Sequence, residues 1–105
     1  MASVVYLPTT REIGDRCREL APAIRQAFDA FSKQVFAEGA LPAKTKQLIA
    51  VAVAHVTLCP YCIRGHAKLA RRAGASDQEI MEAIWAAAEM RGQRLRALHN
   101  RVARP

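Results

Sequence analysis

Aromatic residues and cysteines are both scarce in this sequence. Of its 105 residues, 6% are aromatic and three are cysteine. β-Sheet proteins draw heavily on aromatic and β-branched side chains, so this scarcity, together with abundant alanine, favours close-packed helices. Three cysteines are too few, and odd in number, for the disulfide framework of a secreted domain. A cysteine pair in such a chain indicates catalysis or metal binding rather than a structural role.

Long apolar runs are absent as well. The longest, residues 48–54, is far short of the ~20 residues that span a bilayer. The first ten residues lack the basic start and apolar stretch of a signal peptide. We therefore expect a soluble, cytoplasmic protein with no membrane contact. The length leaves room for a single domain, residues 1–105, with a core of its own.

Acidic residues are outnumbered, since nine Asp and Glu accompany 16 Lys and Arg and give a net charge of +7. A positive balance permits contact with nucleic acid or acidic lipid. The basic residues are spread over most of the chain, with one denser stretch from Arg91 to Arg104. Because no nucleic-acid motif accompanies the charge, nucleic-acid binding is not expected, and the dense stretch has no assigned purpose.

Start and stop signals predict two helices in the first 40 residues. Thr9 and Glu12 have the spacing of a capping box, and apolar residues follow at helical spacing. Pro22 suits the first turn of a second helix. Gly39 is a typical residue for its end.

Three further helices are predicted after residue 40. The first covers residues 43–58, where apolar side chains all round the helix imply deep burial. The next runs from Pro60 to a stop at Gly74, and the last follows a second capping box formed by Ser76 and Glu79.

The last helix shows a one-sided apolar pattern. Its apolar residues on one face are Ile80, Ile84, Ala88, Leu95, Leu98 and Val102. Met81 and Trp85 fall on the apolar side and are predicted to lie in the core. With helices throughout and no hairpin signal, the sequence predicts an all-α, multi-helix fold.

The residues with obvious chemistry lie in the segment 59–66, CPYCIRGH. If Pro60 is the first helical residue, Cys59 is the N-cap and Cys62 lies in the first turn, where backbone N–H groups and the helix dipole stabilise a thiolate. His66 lies one turn beyond Cys62 and can serve as its base. Attack of Cys62 on a peroxide would give a sulfenic acid that Cys59 resolves into a disulfide.

Other interpretations of these residues stay open. His55, Cys59, Cys62 and His66 read H-x3-C-x2-C-x3-H, a set of zinc-type ligands, although a straight helix could not wrap them around one ion. The cysteines could also be buried structural thiols. A c-type haem is not expected, because Ile63, not histidine, follows Cys62.

Two neighbouring residues are assigned supporting roles. His55 is interpreted as an interior histidine with a hydrogen-bond partner or as a group that orients the site. Tyr61, between the cysteines, either shapes the pocket or simply packs.

The ordered combination of motifs resembles the carboxymuconolactone decarboxylase-like superfamily, and within it the alkylhydroperoxidase D branch. The residues that carry the likeness are LPAKTK at 41–46, the apolar helix, the C-x-x-C-x-x-x-H segment and AGAS at 73–76, all within residues 39–90. The resemblance implies an all-α homo-oligomer, trimer or hexamer, without a cofactor. It also implies antioxidant, peroxiredoxin-type oxidoreductase chemistry with a redox-active disulfide, acting on peroxides or disulfides with a lipoyl or thioredoxin-type dithiol as reductant.

Branch members without the cysteine pair include the lactone decarboxylase itself. A cofactor-free decarboxylase-like enzyme, or a ligand-binding helical oligomer without turnover, is therefore the alternative to a redox enzyme.

One position departs from the family pattern. The family's proton relay includes a glutamate twelve residues before the first cysteine, and this chain has Gln47 there. Glutamine can hydrogen-bond and orient a histidine but cannot take up a proton at neutral pH. Since general-base help is worth about 10²–10⁴-fold, we expect slow peroxide turnover.

Overall fold

The computed structural model describes residues 7–8 and 10–104, and within them it contains helices and no strand. The five helices are α1 Arg11–Leu20, α2 Pro22–Val35, α3 Ala43–Thr57, α4 Pro60–Arg72 and α5 Asp77–Ala103. The predicted all-α fold is confirmed. Within the described ranges no helix combines the length and apolar character needed to cross a membrane. The helices form two compact units, one ending at Ala40 and the other beginning at Leu41.

Helix α1 begins one residue later than the predicted capping box implies. The side-chain oxygen of Thr10 accepts the N–H of Ile13 at 3.2 Å, so Thr10 is the N-cap. Ile13 then occupies the third helical position, and Glu12 stands one residue too early to close a capping box. Thr9 lies outside the described residues.

Helix α2 starts at Pro22, as predicted, and ends earlier than Gly39. Its last residue is Val35, and the Phe36 N–H donates to the carbonyls of Ser32 and Gln34. Neither α1 nor α2 has a buried residue. Phe31, for example, is 65% exposed, so packing of α1 against α2 does not bury the apolar stripe of this unit.

Helices α3, α4 and α5 form the second unit. Lys44 Nζ lies 3.0 Å from a Glu79 carboxylate oxygen near the start of α3 and α5. Near the other end, Arg91 Nη1 donates to the Val56 carbonyl at 2.9 Å. The two helices are therefore parallel. Their core with α4 consists of Val51, Ala70, Ala75 and Ile80, with Leu48, Ala67 and Ile84 packed against it.

The predicted burial of α3 on all sides is wrong for the single chain. Gln47, Val51 and Ala54 are buried, whereas Ile49 and Val53 are 47% and 53% exposed. Two neighbouring helices can cover only one side of a third, so the opposite apolar face stays at the surface.

The burial predicted for α5 is also wrong in part. Trp85 is 68% exposed and Met81 51% exposed, so neither lies in the core. The buried face continues from Ile80 and Ile84 to Ala87, while Ala88 is exposed. Periodicity identifies the apolar residues of a helix, but it does not identify which of them a neighbour covers.

Candidate redox site

A tight turn between α3 and α4 positions the first cysteine. Leu58 ends α3 in the left-handed conformation, with φ of 58°. The Cys59 N–H donates back to the Ala54 carbonyl at 3.2 Å, in the 6→1 pattern of a Schellman motif. The chain therefore reverses within two residues, and Cys59 is held against the last turn of α3.

The two cysteines lie at the start of α4 and are joined by a disulfide. Pro60 is the first helical residue and Cys59 the N-cap, as predicted. The Cys62 N–H donates to Cys59 Sγ at 3.3 Å, and the two Cα atoms are 5.3 Å apart. Cys62 is exposed and Cys59 half-buried. A helix N-terminus stabilises negative charge, so the arrangement favours a thiolate once the disulfide is opened.

The histidine of the motif is held by a contact between two helices. His66 Nδ1 lies 2.8 Å from Gln47 Oε1, and Gln47 is only 7% exposed. An amide oxygen only accepts hydrogen bonds, so His66 Nδ1 is the donor. In the neutral ring, Nε2 then carries the lone pair and is the atom able to take up a proton.

The two supporting residues occupy different surroundings. His55 is half-buried, and its Nδ1 donates to the Val51 carbonyl of the preceding turn at 2.7 Å. This agrees with an interior histidine that has a hydrogen-bond partner. Tyr61 is 45% exposed and stands at the surface beside the disulfide.

The structure does not assemble the four zinc-type ligands. Among the described residues, no three His, Cys, Asp or Glu side chains are grouped so that they could hold a metal ion. The sulfurs of Cys59 and Cys62 are bonded to each other, and the Nδ1 proton of His55 is directed into its own helix.

Arg91 supports the site through a contact that the sequence did not reveal. Its guanidinium bonds the Val56 carbonyl, one of the carbonyls that a helix end leaves without a partner inside the helix. The two residues are 35 positions apart in sequence, and no local pattern connects them. Arg91 thus fixes α5 to the turn of α3 that precedes Cys59.

Two relatives are similar to this chain over at least two thirds of its length. An uncharacterized protein of the cox locus of Paracoccus denitrificans is 58% identical over 91 residues, which cover 87% of this chain and 81% of that protein. An uncharacterized protein from Cupriavidus necator is 37% identical over 71 residues, covering 68% of this chain and 63% of that protein.

Solved structures share the fold. A crystal structure from Methanobacterium thermoautotrophicum has a TM-score of 0.74 at 32% identity, over 82% of this chain and 97% of that one. The apo form of a carboxymuconolactone decarboxylase family protein from Legionella pneumophila has a TM-score of 0.70 at 31% identity, over 77% and 75%. A model of that family matches residues 22–100. The superfamily predicted from the motifs is confirmed, and the chain belongs to the carboxymuconolactone decarboxylase family.

Proposed function

We propose that this chain is a thiol-dependent antioxidant oxidoreductase of the alkylhydroperoxidase D type, which reduces peroxides or disulfides. Cys62 is the nucleophile, Cys59 the resolving thiol and His66 the base. The observation that carries the proposal is the pairing of Cys59 with Cys62 at the start of α4, one turn before a histidine whose tautomer Gln47 sets.

The peroxide reaction proceeds in two steps. His66 takes the proton of the Cys62 thiol, and the thiolate attacks one peroxide oxygen. The O–O bond breaks, the leaving alkoxide is protonated to an alcohol, and Cys62 becomes a sulfenic acid. The Cys59 thiol then attacks the Cys62 sulfur, forming the disulfide and releasing water. Gln47 orients the ring in this scheme but does not accept the proton.

An external dithiol must return the disulfide to two thiols. A lipoyl or thioredoxin-type dithiol fits this role, because its two sulfurs can form a disulfide of their own. We further propose that the working form is a homo-oligomer, a trimer or hexamer, because the apolar faces of α3 and α5 are exposed in the single chain.

The test is stopped-flow reaction of the fully reduced, metal-stripped protein with hydrogen peroxide and an organic hydroperoxide, followed by mass spectrometry. We expect rapid formation of the Cys59–Cys62 disulfide. Cys62→Ser should abolish the reaction, and His66→Ala should slow it by about 10²-fold or more, as expected for loss of a general base.

Three results would contradict the proposal. Thiols that react no faster than free cysteine would exclude a peroxidase, and zinc bound at one ion per chain in the purified protein would favour the metal-binding alternative. Decarboxylase activity retained in Cys62→Ser would assign the pocket to the chemistry in the family's name.

A further inference from the structure

The net positive charge of this protein comes from one part of the chain. Residues 1–40 carry five basic and five acidic residues and are neutral overall. Residues 41–105 carry eleven basic and four acidic residues, and the difference of seven is the entire net charge. The charge therefore belongs to the unit that contains the disulfide.

Within this unit, the acidic residues are gathered in the first half of α5. Asp77 lies 3.0 Å from Arg71, and Glu79 lies 3.0 Å from Lys44. Both pairs are at the end of the unit where α3 and α5 begin. Residues 39–76 and 90–105 contain no Asp or Glu. At the opposite end, where α3 stops and the disulfide follows, the nearest acidic residue in sequence to the arginines is Glu89, whose carboxylate accepts a hydrogen bond from Gln93. Positive charge therefore predominates there.

Helix α5 continues past the end of α3 at the disulfide. Arg91 bonds the Val56 carbonyl, while Cys59 bonds the Ala54 carbonyl, so both residues contact the last turn of α3. Because α5 runs parallel to α3, its remaining twelve residues, 92–103, extend about 18 Å beyond this contact at 1.5 Å per residue. We call residues 91–104, with five arginines and no acidic residue, the basic arm.

Apolar side chains accompany the charge at this end. Leu58, held in its left-handed conformation, is 68% exposed next to Cys59, and Tyr61 is 45% exposed between the cysteines. On the arm, Leu98 and Val102 are 52% and 83% exposed and lie four residues apart on one face. Exposed apolar groups beside charged ones are typical of protein-binding surfaces.

We infer that the basic arm is a docking surface for an acidic protein that carries the dithiol which reduces the Cys59–Cys62 disulfide. This inference rests on the proposed function. A small neutral peroxide gains nothing from five arginines, whereas an acidic protein is steered towards the exposed Cys62 by them. The apolar side chains near the disulfide suit a protein partner better than a nucleic-acid backbone.

The reaction at this surface balances as a two-electron exchange. A thiolate of the partner attacks the exposed Cys62 Sγ, the bond to Cys59 breaks, and Cys59 leaves as a thiolate at the N-terminus of α4, where it takes up a proton. The partner's second thiol then loses its proton and attacks the partner's first sulfur, which the mixed disulfide joins to Cys62 Sγ. Cys62 leaves and is protonated, the partner is oxidised to a disulfide, and both cysteines of this chain are thiols.

The test uses the oxidised full-length protein and two synthetic Cys-x-x-Cys peptides, one flanked by glutamates and the other by glutamines. Rate constants for reduction of the disulfide are measured by thiol labelling and mass spectrometry at low and high salt. Steering raises association rates by about 10–10³-fold and is screened by salt. We expect the glutamate peptide to react at least about tenfold faster at low salt, with the advantage shrinking at high salt.

Matched variants locate the effect. The triple change Arg94→Gln, Arg96→Gln and Arg101→Gln should remove most of the glutamate peptide's advantage over the glutamine peptide. The control is Lys68→Gln, Arg71→Gln and Arg72→Gln, which removes the same charge from α4, towards the end opposite the disulfide. It should keep most of the advantage. Equal losses in both triple variants would contradict docking on the arm.

The remaining outcomes separate the inference from the function on which it rests. Equal rates for the two peptides in the wild type would overturn the inference, while peroxide-driven formation of the disulfide would still support the function. If peroxide does not form the disulfide in dithiothreitol-reduced protein, the function itself fails. Tight binding to phosphatidylglycerol vesicles together with equal peptide rates would assign the arm to a membrane surface instead.

Discussion

At the scale of single residues, the contact between His66 and Gln47 has the largest chemical consequence. An amide oxygen fixes the proton on Nδ1 as well as a carboxylate would, so the ring is oriented with Nε2 as its basic atom. An amide cannot, however, share the positive charge that forms when the ring takes a proton. Gln47 therefore orients His66 as the carboxylate of a histidine–carboxylate pair would, but it does not stabilise the protonated ring by charge.

Replacement of Gln47 by Glu should supply the electrostatic stabilisation that the amide lacks. The carboxylate would stabilise the protonated imidazole and provide a second proton acceptor, and we expect at least about a tenfold increase in the rate of peroxide oxidation of Cys62. The measurement is stopped-flow oxidation of the reduced protein at neutral pH. A purified, folded variant with the wild-type rate would exclude a relay role for this position.

Gln47→Met provides the matched control. Methionine is close to glutamine in size but accepts only weakly, so the His66 ring loses the partner that fixes its proton. We expect slower oxidation than in the wild type with a similar unfolding midpoint. A rate equal to that of the wild type would show that His66 needs no orientation by position 47.

At the scale of the helices, local sequence signals predicted well where a helix starts, and poorly which other residues its side chains contact. Pro60 and the box of Ser76 and Glu79 mark the starts of α4 and α5 where expected, because their physics lies within one turn of backbone. Thr9 and Thr10 are adjacent and chemically equal, so the sequence could not decide between them. The contact of Gln47 with His66 joins residues 19 apart. The spacing known for the family suggested the contact, and helix periodicity did not.

The capping box of α5 makes stability depend on pH. The Ser76 backbone N–H, and after it Lys44, hold the pKa of Glu79 below its usual value of 4.5. A carboxyl whose pKa is lowered in the folded state stabilises the fold above that usual value, and the contribution is lost as the pH falls through the lowered one. We expect Glu79→Ala to lower the melting temperature at pH 7 and the gap to close in acid.

The control for this prediction is Glu82→Ala, on the exposed surface of the same helix. Both variants are compared with the wild type by thermal unfolding followed by circular dichroism across the acidic range. A gap for Glu79→Ala that stays constant as the pH falls would mean that its charge does not contribute.

The turn before the disulfide is strained by a side chain. Leu58 adopts a φ of 58°, which costs a non-glycine residue about 1–2 kcal/mol, and its side chain is mostly exposed. Glycine relieves that cost and loses about 0.5–1 kcal/mol in backbone entropy. We expect Leu58→Gly to raise the free energy of unfolding by about 0.5–1 kcal/mol, measured by urea denaturation. Leu41→Gly, at an exposed position without positive φ, should give no gain, and a loss in Leu58→Gly would contradict the strain.

At the scale of the whole molecule, the sequence could not distinguish a core from an interface. Apolar residues at helical spacing in α3 and α5 predict burial, and both kinds of burial give the same pattern. In the single chain, Val51 is fully buried, whereas Val53, two positions away, is 53% exposed. Which face packs inside the chain is decided by α4 and the small residues Ala70 and Ala75, which let three helices approach closely.

The exposed faces of α3 and α5 lead to the last prediction, which concerns assembly. Between these helices lies an apolar groove of about 280 Å³, lined by Ala52, Val53, Val56, Ala86, Ala87 and Met90. Apolar surface of this kind is costly to leave in water and typically marks a contact with another protein. We expect sedimentation velocity to give a multiple of the 11.6 kDa chain mass, consistent with a trimer or hexamer.

Val53→Lys, which places a charge in the groove, should shift the protein towards single chains. Gln78→Lys, an equal change of charge at an exposed polar position, should not. A wild-type protein that sediments as one chain at every concentration would show that the groove binds no second copy.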